Sequence, residues 1–316
     1  VTGGPDLGVA LGPLRLKNPV LTASGTCGYG EELFPFFDPA VLGGVVTKSL
    51  SLRPREGNPP PRLAETPAGM LNSIGLQNIG VEAFVRERLP ALAARGITVV
   101  ASIFGASVEE FAELAARLDG APGLHALELN VSCPNTARGG VEFGVDPEAA
   151  RRVTEAVRRA THLPVVVKLS PNVTDVAVIA RAALDGGADV LSLVNTWFGM
   201  AIDVEARRPV LSTGSGGLSG PAVRPMAVHL VRQVARAVGA PLIGVGGVAS
   251  ARDALEFILA GASAVQVGTA TFVDPRAAPK VVEGIAEYCR RHGVTAVREL
   301  VGALRDGGGP PGSAGG

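Results

Sequence analysis

The chain has 316 residues, 47% of them apolar and only 4% aromatic, and its 29 basic residues balance 29 acidic ones. That neutrality leaves no electrostatic case for nucleic acid or an anionic membrane surface, and no apolar run reaches membrane-spanning length. Cys27, Cys133 and Cys289 stand far apart with no Cys-x-x-Cys pair, which argues against a disulfide framework, structural zinc or a self-contained cysteine-ligated iron–sulfur cluster.

In chain order, Leu14-Arg-Leu-Lys17 is expected to form a small hairpin capping the bottom of the fold. Short β-branched runs then predict strands at Pro19–Ala23, Gly44–Lys48, Ile97–Phe104, Ala126–Ser132, Val165–Leu169, Val190–Val194, Leu242–Val245 and Ala264–Val267. Amphipathic segments between them predict helices at Val81–Ala94, Val108–Leu118, Pro147–Ala160, Val176–Leu184, Ala222–Val238 and Ala251–Leu259, with Asp146, Asp175 and Ser250 as caps. Arg53–Gly80 is a long Pro- and Gly-rich insertion. Its apolar residues in Met70-Leu-Asn-Ser-Ile-Gly-Leu-Gln-Asn78 give it something to pack with, so it is read as ordered.

Strict strand–helix alternation without a composition shift predicts an α/β fold, a single-domain (β/α)8 TIM barrel over 1–305, with a doubly wound sheet as the alternative. Residues 306–316 form a Gly/Pro tail expected to be disordered. No signal-peptide pattern opens the chain, and a reducing, cytoplasmic location is expected.

Two glycine turns follow the last strands: Gly246-Gly247 and Gly268-Thr269. Backbone amides in such turns approach anions closely, and barrels commonly bind phosphate after strands seven and eight. Gly214–Gly220 adds another close backbone approach. The spacing is not Gly-x-Gly-x-x-Gly, so a phosphate-bearing cofactor or sugar phosphate is expected rather than a dinucleotide across a sheet edge.

Lys48 and Lys168 end strands two and five, where a buried lysine needs an anion or an electron-rich ring. Asn72, Asn130, Asn135 and Asn195 fall at expected loop positions near one barrel face, suiting a flat, imide-like substrate. No histidine stands beside this face, no metal site is expected, and carboxylate pairing at the strand ends is poor; Glu128 is read as facing the barrel interior or a neighbouring helix. Cys133, at the carboxyl end of a strand broken by Pro134, is the one obvious base or nucleophile.

Val46-Thr-Lys-Ser49, Asn72-Ser-Ile-Gly-Leu-Gln-Asn78, Asn130-Val-Ser-Cys-Pro-Asn135, Val194-Asn-Thr196, Gly217-Leu-Ser-Gly220, Gly246-Gly247 and Gly268-Thr269 together resemble the dihydroorotate dehydrogenase family, in order and across about residues 14–270. The resemblance implies an FMN-dependent barrel that oxidises dihydroorotate to orotate in pyrimidine synthesis. By motif, Cys133 would remove the C5 proton while hydride leaves C6 for the flavin. Lys48, Asn72, Ser73, Ile74, Gly75, Leu76, Asn130, Asn195 and Thr196 would hold the pyrimidine and its carboxylate. Ser24, Lys48, Ser49, Ser102, Asn130, Lys168, Val194, Gly220, Gly246, Gly247, Gly268 and Thr269 would hold FMN, with Ser102 standing where many relatives are expected to carry asparagine.

Cysteine at position 133 is similar to class 1, and the Arg55–Arg62 segment with Gly75-Leu-Gln-Asn78 resembles class 1B. That implies a homodimer of this chain joined to partner subunits carrying FAD and a [2Fe-2S] cluster, a heterotetramer that passes electrons to NAD. A fumarate-using class 1A enzyme, a dihydropyrimidine dehydrogenase-like reductase, a Schiff-base aldolase using Lys168 and a non-catalytic flavin-binding subunit remain alternatives. The loop Pro134–Gly144 is read as a lid over the substrate.

Overall fold

The computed structural model describes residues 3–132, 134–135 and 141–305. Cys133, Gly139, Gly140 and the 306–316 tail lie outside the described residues.

Eight parallel strands form the barrel: β1 (Val20–Thr22), β2 (Val45–Val46), β3 (Val99–Ile103), β4 (Leu124–Asn130), β5 (Val165–Leu169), β6 (Val190–Leu193), β7 (Leu242–Val245) and β8 (Ala264–Val267). Their order is β1-β8-β7-β6-β5-β4-β3-β2, and a parallel bridge from Leu21 to Gly44 closes the ring. β2 is only two residues long, so side chains extend its ladder. Val46 N donates to Thr22 Oγ1 at 2.9 Å, and Ser102 N donates to Thr47 Oγ1 at 3.2 Å. β5, β6 and β7 are buried on both faces along their whole length, as expected of a parallel sheet sheathed by helices.

The surrounding helices bury one stripe each. Val108–Leu118 buries Phe111, Leu114, Ala115 and Leu118, and Pro147–Ala160 buries Ala149, Ala150, Val153, Thr154 and Val157, the helical spacing of a core-facing surface. The expected caps are present. Asp146 accepts from Ala149 N, Asp175 accepts from Ala177 N, and Ser250 forms a reciprocal capping box with Asp253.

Strand–helix alternation is less strict than expected. β1 is followed only by the 3-10 turns Glu31–Leu33 and Pro39–Val41, because Gly25, Gly28 and Gly30 take positive φ and Pro35 and Pro39 interrupt any longer helix. The helix expected over Val81–Ala94 divides into Val81–Ala83, a π-helical Phe84–Arg88 and Leu89–Ala94. Pro90 cannot donate its amide and would clash with the carbonyl four residues back, which a widened turn avoids. A further helix, Ala277–Arg291, goes beyond the expected set; it buries Val281, Ile285 and Cys289 four residues apart.

The hairpin of Val9–Leu11 and Leu14–Leu16 seals the bottom with buried Leu11, Leu14 and Leu16. A Cβ on its Gly12 would meet Asp189, just ahead of β6. The 53–80 insertion is ordered at the opposite end. Its strands Leu63–Thr66 and Gly69–Asn72 join Gly216–Ser219 and Trp197–Gly199 in a four-stranded antiparallel sheet. That sheet walls the carboxyl-terminal mouth.

Candidate active site

The carboxyl end of each of the eight strands brings a candidate residue to the mouth. Ser24 follows β1, Lys48 and Ser49 follow β2, Ser102 and Asn130 lie near the ends of β3 and β4, and Lys168 lies on β5. Val194, Asn195 and Thr196 follow β6, Gly246 and Gly247 follow β7, and Gly268 and Thr269 follow β8. Asn130 thus belongs to a strand rather than to the expected loop, and so does Asn72, at the end of Gly69–Asn72. Asn135 pairs its backbone with Val141 in a short hairpin.

A hydrogen-bonded chain crosses the mouth. Asn195 Nδ2 donates to Asn130 Oδ1 at 3.1 Å, Asn130 Nδ2 lies 3.4 Å from Ser49 Oγ, and Ser49 Oγ lies 2.8 Å from Ser102 Oγ. Asn195 Oδ1 in turn accepts from Thr196 N at 2.9 Å. Thr196 O accepts from Asn172 Nδ2 at 3.1 Å. Asn172, in Ser170-Pro-Asn at the exit of β5, is missing from the expected set. Its position, three residues beyond a strand and directly after a proline, shares with Asn135 the Pro-Asn step that follows a barrel strand.

Under this chain lies a second, charged cluster. Lys168 Nζ donates to Ser24 Oγ at 3.2 Å and to Gln266 Oε1 at 3.3 Å, and stands 3.5 Å from Glu128 Oε1. Glu128 Oε2 accepts from Gln266 Nε2 at 2.6 Å and from Ser192 Oγ at 3.2 Å. Lys168 is 4% exposed and Glu128 0%, so the lysine does not reach solvent. Of the two placements expected for Glu128 the interior one holds, and there it meets the lysine, because Asn130 is in register with Lys168 and Glu128 sits one layer below. Gln266 also escaped the sequence reading; its signal was a lone amide within the apolar run Ala264–Val267.

The insertion supplies the outer wall. Asn72 Nδ2 donates to Gly217 O at 3.2 Å, and Asn58 binds Ser73 O and Ile74 O through its side-chain and backbone nitrogens. Gly75 and Leu76 take positive φ, and a Cβ on Gly75 would lie 2.5 Å from Asn58 N, so this turn is held in one shape. Ser73 Oγ is buried without a hydrogen-bond partner among the described residues. Lys48 is half-buried, and burial together with the nearby Arg62 guanidinium lowers its ammonium below the ordinary lysine value. Lys48 and Arg62, close enough to repel each other, make this side of the mouth attractive to a carboxylate.

At the far side, Gly246 and Gly247 have φ of 130° and 75°, and a Cβ on Gly247 would lie 2.8 Å from both Gly220 O and Arg224 Cβ. Only glycine fits. Asp253 accepts from Ala249 N and Ser250 N at 3.1 and 2.8 Å and is ion-paired to Arg224. The two amides that lead into helix Ala251–Ala260 are therefore already partnered by Asp253. Thr269 Oγ1 lies 2.8 Å from Ser219 Oγ, closing this side against the small sheet.

Cys27 and Cys289 are buried. Burial pushes the Cys27 thiol up to about 12 and raises that of Cys289, so neither is a base near neutral pH. Of the loop expected as a lid, Pro134–Asn135 pairs with Val141–Glu142, and Gly144 N donates a hydrogen bond to Val131 O at 2.8 Å. Among the described residues, no group of three or more His, Cys, Asp or Glu is placed to hold a metal, and no helix is long and apolar enough to cross a membrane.

The family model described as dihydroorotate dehydrogenase matches residues 7–289. The catalytic subunit of dihydroorotate dehydrogenase B (NAD(+)) from Pelobacter propionicus is 57% identical over 300 residues, covering 95% of this chain and 99% of the relative. The same subunit from Desulforudis audaxviator is 58% identical over 301 residues, covering 95% and 98%. That from Geotalea uraniireducens is 53% identical over 302 residues, covering 96% and 99%. With its closed barrel and a mouth built from the ends of all eight strands, this chain belongs to the dihydroorotate dehydrogenase family.

Proposed function

We propose that this chain is the catalytic subunit of an NAD-linked dihydroorotate dehydrogenase, oxidising (S)-dihydroorotate to orotate in cytoplasmic pyrimidine synthesis. The observation that carries the reading is the Asn195–Asn130–Ser49 chain above the buried Lys168. It sets an amide lattice, suited to a flat imide, over a cation suited to an electron-rich ring.

The mouth fits FMN. The turn at Gly246 and Gly247 leaves no room for a Cβ, as a backbone cradle for phosphate requires. Gly220, Gly268 and Thr269 would complete that end, and Ser24, Lys48, Ser49, Ser102, Asn130, Lys168 and Val194 would hold the rest. When bound, FMN supplies the acceptor for the hydride leaving C6. Lys168 would stabilise negative charge gained by the cofactor.

The chain's own residues do the remaining work. Asn72, Ser73, Ile74, Gly75, Leu76, Asn130, Asn195 and Thr196 orient the pyrimidine, and Ser73 Oγ, buried without a partner among the described residues, gains one in the substrate. Lys48 meets the carboxylate, which favours a carboxylate-bearing pyrimidine over the bare ring of a dihydropyrimidine dehydrogenase-like reaction. Cys133, the cysteine left after the two inert ones, takes the C5 proton. A thiol of ordinary pKa about 8.5 would be brought toward use at neutral pH by positive charge or a favourable dipole.

Lys168 is engaged by Ser24, Gln266 and Glu128, an arrangement that disfavours the free amine of a Schiff-base aldolase. Three scattered cysteines give this chain no means of building a cluster. The names of its relatives, catalytic subunits of an NAD(+) enzyme, favour a partner carrying FAD and [2Fe-2S], in a heterotetramer around a homodimer of this chain. They favour this over a fumarate-using enzyme.

The test is anaerobic: the purified chain's visible spectrum is recorded before and after dihydroorotate is added. Bleaching of a bound flavin is the expected result. A colourless protein that cannot be reconstituted with FMN overturns the reading.

A further inference from the structure

Glu128 takes no part in the chemistry above, yet it is a carboxylate buried to 0% exposure in the barrel interior. A lone ion there would be costly to desolvate, and even a paired one rarely adds stability over well-packed apolar residues. Core packing alone therefore gives a poor account of it. Its surroundings are specific. Gln266 bridges the two charges, its Nε2 donating to Glu128 at 2.6 Å and its Oε1 accepting from Lys168 at 3.3 Å. That fixes which way the Gln266 amide points. Ser192 adds a second donor to Glu128 Oε2, while Glu128 Oε1, without a hydrogen-bond partner among the described residues, faces the ammonium at 3.5 Å. Ser24 accepts a second Lys168 hydrogen bond from β1's end. Residues from β4, β6, β8 and the end of β1 thus hold one lysine on β5.

We propose that Glu128 is the positioning residue for Lys168: with Gln266 it pins the ammonium at the mouth and offsets part of its charge, and so sets the reduction potential of the bound flavin. The inference rests on the reading that FMN occupies this mouth. Reduction adds negative charge to the cofactor, so a lysine stripped of its counter-charge favours the reduced form more strongly.

The test is a double-mutant cycle read as midpoint potential and FMN affinity in the reconstituted protein. Glu128→Gln keeps the side chain's shape and removes its charge. It is expected to raise the preference for reduced over oxidised FMN about tenfold, a positive shift of about 30 mV for a two-electron couple. Glu128→Asp, which keeps the charge, is expected to restore most of the wild-type potential. In a Lys168→Met background the same Glu128→Gln change is expected to shift nothing, because a buried carboxylate without its counter-charge is neutralised rather than kept ionised.

An unmoved potential in Glu128→Gln, with wild-type protein still reduced by dihydroorotate, overturns the inference alone. An equal shift in the Lys168→Met background also overturns it, since Glu128 would then act without the lysine. Wild-type protein that fails to take FMN overturns both the inference and the functional reading. If Glu128→Gln does not fold, Lys168→Met and the double variant, which removes both members of the buried pair, are compared directly. Equal potentials support the inference and unequal ones overturn it.

Discussion

Asn195 Nδ2 lies 3.1 Å from Asn130 Oδ1, tying the end of β6 to the end of β4 across the intervening β5. Both amides are thereby oriented before any substrate arrives. Removing Asn195 leaves a buried carbonyl on Asn130 without this donor, a loss of about 1–3 kcal/mol. Asn195→Ala is therefore expected to weaken orotate binding roughly 10- to 100-fold. Asn130→Ala, combined with it, should cost less than the sum of the two because they share one bond. Orotate titration of the two single variants and the double measures this; strict additivity would show that the contact does not couple the residues.

The base role proposed for Cys133 makes a kinetic prediction. General-base catalysis contributes about 10²- to 10⁴-fold, so Cys133→Ser should slow flavin reduction by at least about a hundredfold at neutral pH. Orotate affinity should change far less, since the thiol is assigned to proton removal and the amides to binding. The residual rate should climb with pH, because a hydroxyl is much harder to deprotonate than a thiol. Anaerobic stopped-flow reduction across pH checks this, and unchanged rates would remove Cys133 from the mechanism.

The barrel was legible because β-branched runs buried on both faces cannot be much else, and Val165–Leu169, Leu242–Val245 and Ala264–Val267 fall where the sequence pattern puts them. Local signals also sufficed for the caps at Asp146, Asp175 and Ser250. The missing helix after β1 and the π turn at Phe84–Arg88 reflect glycine and proline chemistry visible in the sequence but outweighed there by the expectation of regular alternation. Ala277–Arg291 carried a readable four-residue apolar spacing. Two features were beyond local reading. The pairing of Gly217 with Asn72 joins glycine-rich segments far apart in the chain. The meeting of Glu128, Lys168 and Gln266 exists only because barrel closure sets β4, β5 and β8 around one interior. Of the candidate site, the placement of the named residues around one mouth was readable from motif, and their mutual bonding was not.

The glycine cradle predicts a sharp steric effect. At Gly247, with φ of 75°, a Cβ would lie 2.8 Å from Gly220 O and from Arg224 Cβ. Gly247→Ala must therefore strain the turn or displace its neighbours, at about 1–3 kcal/mol for the backbone alone. FMN affinity is expected to fall by at least about tenfold, that being the equivalent of the lower half of this range. Gly239→Ala serves as the control, since a Cβ there meets nothing within 4 Å. Fluorescence titration of the apoproteins with FMN separates them, and equal affinities would place the phosphate elsewhere.

Far from the mouth, Asp119 makes a pH prediction. It follows the helix Val108–Leu118 and accepts from Thr161 Oγ1 at 2.7 Å, His162 N at 2.8 Å and His162 Nδ1 at 3.1 Å, fastening the ends of two neighbouring helices. The Thr161 hydroxyl, then the His162 amide and ring, lower its carboxyl to about 2 from 3.8. A carboxyl with a folded-state pKa below its unfolded value lends stability that is complete above the unfolded pKa and is lost as pH falls through the folded one. Wild type should therefore be more stable than Asp119→Asn at pH 7, with the gap constant down to about pH 4 and shrinking toward pH 2. Urea midpoints of the two proteins across that range check the sign. A gap that widened on acidification would mean that the bonds from Thr161 and His162 do not favour the ionised carboxylate.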